Sequence, residues 1–511
     1  MRRLVLTAAA TALTLFAAAC GGGSGSSSSG SGAASGGTLT LAPLVQAQPW
    51  DLKDAGLGNN TQYYQPVYDS LLRLDPQANP VANLATEWSY DATNTVLTLK
   101  LRTDVKFTDG TAFDANAVKV NLLHTKTGTN EAAGQLKAVK TVDAVDASTA
   151  KITLSVPDPS FVANLGSVAG MMASPKAIEA GTLKTEPVGS GPYTLDKSAT
   201  TSGSVYTFVR NPSYWNTAAF PYDKIVLKPL TDPTAVLNAL RSGQVNGAVI
   251  TNSKNIAPAK SSGLTVTEYT PGDVEGLYIW DRGGKIVKAL GDVRVRQALN
   301  YAFDRDAIVK TARQGMGQVT AQVFNPTGSA YDASLNQKYP YDPTKAKQLL
   351  AEAGYPNGFE VTMPDLSGFF PDQQAALTQQ LTDIGVKVKL DKVPADQVIS
   401  SLLSGKYAMS YFVLASFRPW DTIVIQAQPD SLWNIMKYSD PTVDGLIKQA
   451  QSATGDAQAA LYKQINTTMV DQAWNAPWDF VENAYVTTKG VEVTPQAYAA
   501  VPPIYNFKPA G

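Results

Sequence analysis

One stretch of the chain alternates between short apolar strands and amphipathic helices, and this alternation restricts the fold more than any other feature. Strands are predicted at 359–363, 386–390 and 408–414, with helices at 373–384 and 394–403 between them. Strands that are separated by helices are typically parallel and joined by right-handed crossovers. The sequence therefore predicts an α/β fold that contains a parallel sheet.

A ligand cleft is predicted at one edge of this sheet, because ligands of open α/β sheets bind outside the carboxyl ends of the strands. The loops after the first and third strands combine aromatic rings with polar or charged groups. Their candidate ligand-binding residues are Ser367, Phe369, Phe370, Phe417, Arg418, Trp420 and Asp421. For each aromatic ring, burial in the core of its own domain is the competing interpretation.

Turn and cap signals predict further elements along the chain. A β-hairpin is expected at 87–102, and a helix at 115–125 behind the N-cap residue Asp114. Apolar residues at helical spacing predict another helix at 63–74. A helix at 233–243 is predicted from its opening Asp-Pro pair and its closing glycine.

The N-terminal residues have the pattern of an exported protein. Two arginines precede an apolar run at 4–16, which is too short to span a bilayer comfortably, and small residues follow it. We therefore predict a secretory signal peptide at 1–19. Residues 20–37 are almost entirely Gly, Ser and Ala after Cys20, and they predict a flexible tether.

Cys20 is the only cysteine, and its position at the cleavage point resembles the lipobox of bacterial lipoproteins. Ala17 stands where the usual residue of that motif is leucine. The resemblance implies a diacylated Cys20 that anchors the protein to the outer face of the cell membrane, since two acyl chains anchor stably. The competing interpretation is an ordinary secretory signal with a chance cysteine.

Composition argues against several classes of protein. The formal net charge is −1, and −3 without the two arginines of the signal peptide, which does not suit a nucleic-acid partner. His124 is the only histidine, no G-x-S-x-G motif accompanies it, and no G-x-x-x-x-G-K-[ST] loop is present. Zinc or nickel sites normally use several His or Cys ligands. We therefore predict no enzymatic activity, no cofactor and no metal site.

Five groups of residues together resemble the family-5 extracellular solute-binding proteins, the oligopeptide-, dipeptide- and nickel-binding lipoproteins of ABC importers. Each motif alone is modest, but their order matches that of the family and covers nearly everything from Thr38 onward. The matching stretches are 84–88 with 97–102 and 107–111, 188–193, 211–215, 292–299 with 302–305, and 341–343 with 349–355. The arginines and aspartates of 292–305 are interpreted as caps and salt bridges rather than as ligand contacts.

The resemblance implies a type II periplasmic-binding-protein fold with two lobes and an inserted subdomain, of the large cluster C type. Roughly 470 ordered residues also exceed what a single core usually supports. Carried onto this chain, the first lobe holds 38–58, 183–268 and 486–511. The inserted subdomain is 59–182, and the second lobe is 269–485.

The resemblance also implies a function and partners. A monomeric lipoprotein would close on a small molecule and deliver it to an ABC permease driven by its ATPase. A peptide is the leading ligand, and an oligosaccharide, an opine-like compound or a metal chelate is the alternative. A receptor that senses its ligand for a signalling partner is an alternative of another class.

Specific ligand contacts are expected on the same basis. Peptide-binding relatives pair an acid with the amino group of the ligand, and Asp421 is the candidate here, while Arg418 would meet a carboxylate. Gln46, Gln48 and Trp50, in the polar loop after the first strand, are further candidates. Trp280 lines the cleft or packs at the hinge between the lobes. Stacked rings, namely Trp420, Phe369 and Trp50, would suit a sugar.

Overall fold

The computed structural model describes residues 36–250, 252–394 and 397–510. The predicted signal peptide, Cys20 and all of the tether except its last two residues lie outside these ranges. Within them, no helix combines the length and the apolar character needed to cross a membrane.

Fifteen α-helices are described, and aspartate side chains cap the N-termini of six of them, as at Asp114 and Asp232. The predicted helices at 115–125 and 233–243 are confirmed. The helices are α1 (Thr61–Tyr64), α2 (Ala115–Lys126), α3 (Glu131–Gln135), α4 (Phe161–Asn164), α5 (Pro175–Ala180), α6 (Pro233–Arg241), α7 (Ile256–Ser261), α8 (Val293–Tyr301), α9 (Arg305–Ala312), α10 (Pro343–Glu352), α11 (Pro371–Asp383), α12 (Val398–Leu403), α13 (Pro419–Gln426), α14 (Pro441–Ser452) and α15 (Gly455–Asp471).

The largest sheet, sheet A, has seven strands from three separated parts of the chain. Strand β1 lies near its centre, parallel to β10 and β11, and buries Leu39 and Leu41 completely. In spatial order, the strands are β12 (Thr265–Tyr269), β19 (Asn483–Thr487), β11 (Gly247–Ile250), β1 (Thr38–Ala42), β10 (Lys224–Leu227), β9 (Tyr206–Arg210) and β8 (Tyr193–Leu195). A separate antiparallel pair joins β20 (Val491–Val493) to β21 (Phe507–Pro509).

Sheet B is an antiparallel four-stranded sheet that packs against α2. Its order is β4 (Ala85–Tyr90), β5 (Val96–Leu101), β7 (Thr149–Leu154) and β6 (Val139–Asp146). The predicted hairpin is confirmed as β4 and β5. Asp91 closes its turn by accepting hydrogen bonds from the backbone of Thr95 and Val96, and Asn94 adopts a φ of 55°.

The predicted helix at 63–74 is wrong. The only helical turn is α1, which ends at Tyr64, and a short strand β2 (Leu72–Leu74) pairs with β3 (Pro80–Ala82). Pro66 lies in the middle of the predicted helix and has no N–H to donate to the preceding turn. The carbonyl of Val67 instead accepts a hydrogen bond from the backbone of Gly191, 2.8 Å away.

Sheet C has four antiparallel strands with a core on each face. Leu277 and Tyr411 face the helical side with α8, whereas Tyr278 and Trp280 belong to an aromatic cluster on the other side. The order is β14 (Gly317–Val319), β18 (Asn475–Val481), β13 (Asp273–Ile279) and β17 (Met409–Ala415).

The predicted parallel sheet is confirmed for two of its three strands. Strands β15 (Glu360–Asp365) and β16 (Lys387–Lys392) are parallel, with α11 between them. The third strand, β17, instead pairs antiparallel with β13 in sheet C. Strand β16 is lysine-rich and largely exposed, so it provides little apolar surface for a further neighbour. Strand β17 is apolar on both faces and buries more of its surface between the two cores of sheet C.

Two chain segments connect sheet A to sheet C. Residues 270–272 lead from β12 to β13, and residue 482 leads from β18 to β19. The predicted division into two lobes and an inserted subdomain stays a prediction.

Candidate functional site

The loop after β1 lies at a carboxyl end near the centre of sheet A, where ligands of such sheets bind. Gln46 and Gln48 are exposed on this loop. Two tyrosines hold its backbone, because the hydroxyls of Tyr63 and Tyr68 donate to loop carbonyls at 2.8 and 2.9 Å. The two glutamine side chains are therefore presented from a fixed backbone.

Two of the predicted aromatic candidates are core residues in this structure. Trp50 is 6% exposed and packs edge-to-face on Tyr64, Tyr206 and Phe208. Trp280 is 1% exposed, and its indole N–H donates to Ser410 at 3.0 Å. Neither tryptophan offers a free ring face to a ligand.

The loop after β15 does not present its predicted residues as a group. The ring of Phe370 lies 5.0 Å from that of Tyr411 and packs into the core beneath sheet C. Phe369 is 54% exposed, and the hydroxyl of Ser367 donates to Asp365. Their role in ligand binding stays a prediction.

The loop after β17 brings together a charged pair. Arg418 Nε donates to Asp421 Oδ2 at 3.0 Å, and each side chain keeps about a fifth of its surface exposed. The adjoining Trp420 is buried with Ile423 in a core of its own, so it anchors the start of α13. Phe417 is half-buried.

Arg418 also reaches across to the sheet B region. Its Nη2 donates to Asn164 Oδ1 at 2.5 Å, although the two residues are 254 positions apart. Asp158 lies in the same region, where burial and the nearby carboxylate of Asp421 raise its pKa to about 6. Sequence reasoning missed Asp158 and Asn164, and the only local signal was an acid held between Pro157 and Pro159.

A second polar cluster lies inside sheet C, close to the connections with sheet A. Glu275 and Asp479 are opposite each other on β13 and β18, and both are fully buried. The hydroxyl of Tyr411 donates to Glu275 Oε2 at 2.8 Å, and Arg313 Nε lies 3.9 Å from Glu275 Oε1.

Asp479 has a strongly perturbed carboxyl group. Burial and the neighbouring Glu275 raise its pKa well above the ordinary value of 3.8. Both carboxyl oxygens of Asp479 and Oε1 of Glu275 are buried without a hydrogen-bond partner among the described residues, so a proton on Asp479 would be well placed between the two acids. An acid inside a strand that is otherwise apolar was visible in the sequence, but its partner on a distant strand was not.

The charged groups at the Arg418 loop suit a small ligand that carries both signs of charge. The guanidinium of Arg418 pairs with Asp421 where the sheet B region meets this loop, and both groups lie close enough to Asp158 to act on it electrostatically. Across the described ranges, no cluster of three or more His, Cys, Asp or Glu residues could hold a metal ion.

The model of the bacterial extracellular solute-binding proteins, family 5, matches residues 79–426. The glutathione-binding protein GsiB of Pectobacterium atrosepticum is 28% identical over 498 residues, which cover 93% of each chain. GsiB of Escherichia coli O157:H7 is 30% identical over 80% of this chain and 82% of its own. The solved structure of HbpA2 from Haemophilus parasuis has a TM-score of 0.83 at 22% identity, covering 93% of this chain and all of that one.

Proposed function

Because this chain belongs to family 5 of the bacterial extracellular solute-binding proteins, we propose that it captures a short peptide and delivers it to the permease of an ABC importer. The first lobe would comprise 38–58, 183–268 and 486–511, the inserted subdomain 59–182, and the second lobe 269–485. The ligand would lie between the lobes, with Gln46 and Gln48 on one side and the Arg418 loop on the other.

The charged groups around Arg418 are the observation that supports a peptide. A peptide carries an ammonium and a carboxylate, and enclosing it removes water from both, so each needs a partner at a fixed position. Asp421 is suited to the ammonium and Arg418 to the carboxylate. Glutathione, which the relatives' name specifies, is itself a tripeptide.

A sugar ligand has less support in this structure. Carbohydrate sites use open aromatic ring faces, and two of the three rings predicted for that role, Trp50 and Trp420, are buried. Phe369 alone is exposed.

Transport would follow from domain closure. A ligand that bridges the two lobes binds the closed form more tightly than the open form. The difference between these two binding free energies is the amount by which the ligand favours closure. The closed, loaded protein would then be recognised by the permease, and its ATPase would supply the energy.

A thermal-shift screen of the mature chain tests the ligand. Glutathione and di- to hexapeptides should raise the melting temperature, because ligand at a hundred times its Kd adds about 2.7 kcal/mol of stability. Asp421→Asn should weaken peptide binding about 10- to 100-fold, since a hydrogen bond to a charged group contributes about 1.5–3 kcal/mol. The control is Asp430→Asn, which changes an exposed acid nearby and should leave binding unchanged.

Other outcomes of the same screen would contradict parts of the proposal. Stabilisation only by oligosaccharides, opines or chelates would remove the peptide as ligand. A loaded protein that fails to stimulate its permease and ATPase in proteoliposomes, while binding a sensor kinase, would favour the signalling receptor.

We further propose that Cys20 carries the lipid anchor. In cells, the wild-type protein should sediment with membranes, and Cys20→Ser should be released into the soluble exported fraction. Ser24→Ala in the tether is the control and should stay with the membranes. Equal distribution of wild type and Cys20→Ser would contradict the anchor but not the ligand.

A further inference from the structure

The segment from Pro157 to Asn164 contacts a part of the molecule to which it has no nearby covalent connection. It belongs to the sheet B region, whereas Arg418 and Gln451 belong to the region of sheet C and its helices. Each region is connected covalently to sheet A and not to the other region at this point. Their contact therefore depends on the position of one region relative to the other, not on chain connectivity.

Hydrogen bonds form this contact at both ends of the segment. Gln451 Nε2 on α14 donates to the carbonyl of Pro157 at 3.2 Å. Arg418 Nη2 donates to Asn164 Oδ1 at 2.5 Å. Nearby, Asn94 Nδ2 is 3.4 Å from the carbonyl of Ser452.

The charges in this contact do not balance when every acid is ionised. Arg418 pairs with Asp421, and both groups act electrostatically on Asp158 across the contact, so two carboxylates lie near a single guanidinium. The backbone N–H of Ser160 also donates to Asp158 at 3.0 Å. One negative charge is therefore left over in a partly buried place.

The remaining titratable groups around Asp158 do not supply a compensating charge. Tyr90 on β4 and Tyr462 on α15 face it, and burial raises the pKa of both phenols, so they stay neutral. Tyr498 lies by Arg418 and Asp421, and burial likewise raises its pKa. A proton on Asp158 is the simplest way to remove the excess charge.

We propose that the segment 157–164 is a closing latch that takes up a proton on Asp158 when the sheet B and sheet C regions come together. Acidification then favours the closed form even without ligand. In the closed form the pKa of Asp158 is about 6, against an ordinary value of 3.8 when the segment is free. Because Asp158 has the higher pKa in the closed form, the closed form becomes more populated as the pH falls through 6 and less populated as the pH rises.

The size of the effect follows from these two values. Between pH 8 and pH 5, the ratio of closed to open molecules should rise roughly tenfold. A ligand that binds only the closed form should show a corresponding gain in apparent affinity wherever the closed form is the minor one.

Distance measurements on the mature chain test the latch without any ligand. In a Cys20→Ser background, the substitutions Lys140→Cys and Lys347→Cys place two fluorophores on exposed sites of the sheet B and sheet C regions. Energy transfer should rise as the pH falls from 8 to 5, with the rise beginning near pH 6. Asp158→Asn should give high transfer at every pH, and Asp143→Asn, which changes an exposed acid of sheet B, should behave as wild type.

Two further variants separate the latch from its proton. Gln451→Ala and Arg418→Gln should lower the closed fraction, because each removes a hydrogen bond across the contact. In the Gln451→Ala variant the rise should still begin near pH 6, since this change leaves the charges in place. Energy transfer that does not depend on pH, or a dependence that survives in Asp158→Asn, would overturn the proposal. The readout contains no peptide, so its failure is distinct from failure of the proposed ligand.

Discussion

Asp479 has no exposed surface and faces another acid, Glu275, across two neighbouring strands. A second buried negative charge at this position is unfavourable, and a shared proton avoids it. Both acids lie on strands of sheet C that continue into sheet A. The protonation of Asp479 should therefore affect the stability of sheet C.

The substitution Asp479→Asn should stabilise the protein increasingly as the pH rises. The folded pKa of Asp479 is above its unfolded value of 3.8, so wild type loses stability from about pH 4 upward until the folded pKa is reached. The loss is at most about 1.4 kcal/mol per pH unit. The amide keeps a donor for Glu275 but cannot ionise. Urea unfolding at pH 5, 6, 7 and 8 measures the difference.

An exposed acid provides the control for this measurement. Asp456→Asn, at the exposed start of α15, should follow the wild-type curve at every pH. A constant gap between wild type and Asp479→Asn over this range would show that Asp479 does not hold a proton in the folded state.

At the scale of single residues, helix caps and turns could be predicted from the sequence. The partners that side chains find in other regions of the chain could not. The arginines of 292–305 show both cases. Arg294 pairs with Asp292, as the cap-and-salt-bridge interpretation expected. Arg305 is buried and donates to the nearby Asn300, but also to the carbonyls of Pro477 and Tyr339, residues that are distant in the chain.

Helix α2 packs closely against the loop after β1. The ring of His124 on α2 lies 2.6 Å from Asp51. The end of α2 runs so close to this loop that a Cβ at Gly128 would lie 1.9 Å from the carbonyl oxygen of Lys53. A glycine is therefore required here by packing rather than by backbone conformation.

The substitution Gly128→Ala should destabilise the protein by about 1–3 kcal/mol, the usual range for forcing an extra carbon into a packed place. Chemical denaturation measures it. The matched control is Gly134→Ala in α3, where nothing lies within 4 Å of the added carbon. That change should be neutral or stabilise by about 0.5–1 kcal/mol, because alanine loses less conformational entropy. Equal effects of the two changes would contradict the close approach at Gly128.

The errors made for whole elements have a common cause. Strand β17 was predicted correctly as a strand, but its neighbour is β13, far away in the sequence. The helix at 63–74 had the correct apolar spacing, but Pro66 and the contact with Gly191 decided its conformation. Periodicity describes which faces are apolar and does not identify the surface that covers them.

The connection between sheets A and C matters at the scale of the whole molecule. Gly272 lies in this connection with a φ of 113°, and a Cβ there would lie 2.3 Å from the carbonyl oxygen of Ser416. Ser416 in turn donates its N–H to the carbonyl of Gly272 at 2.6 Å. The connection is therefore held directly against the loop that carries Arg418.

The substitution Gly272→Ala should destabilise the protein more than Gly243→Ala does. Both glycines have positive φ, and the strain alone is about 1–2 kcal/mol. Only Gly272 adds a steric clash, of about 1–3 kcal/mol, because nothing lies within 4 Å of a Cβ at Gly243. Urea unfolding compares them, and an equal loss of stability would indicate that the connection has room to relax.

The sequence by itself determined the α/β class, the family, most element positions, and Arg418 and Asp421 as candidate ligand contacts. Its signals act over a few residues, through caps, turns and side-chain periodicity, and they need no knowledge of distant partners. Tertiary structure decided the neighbour of β17, the burial of Trp50, Trp280 and Trp420, and the contact of Asn164 with Arg418. Those outcomes depend on which distant surfaces exclude water from one another, and that is settled only when the whole chain packs.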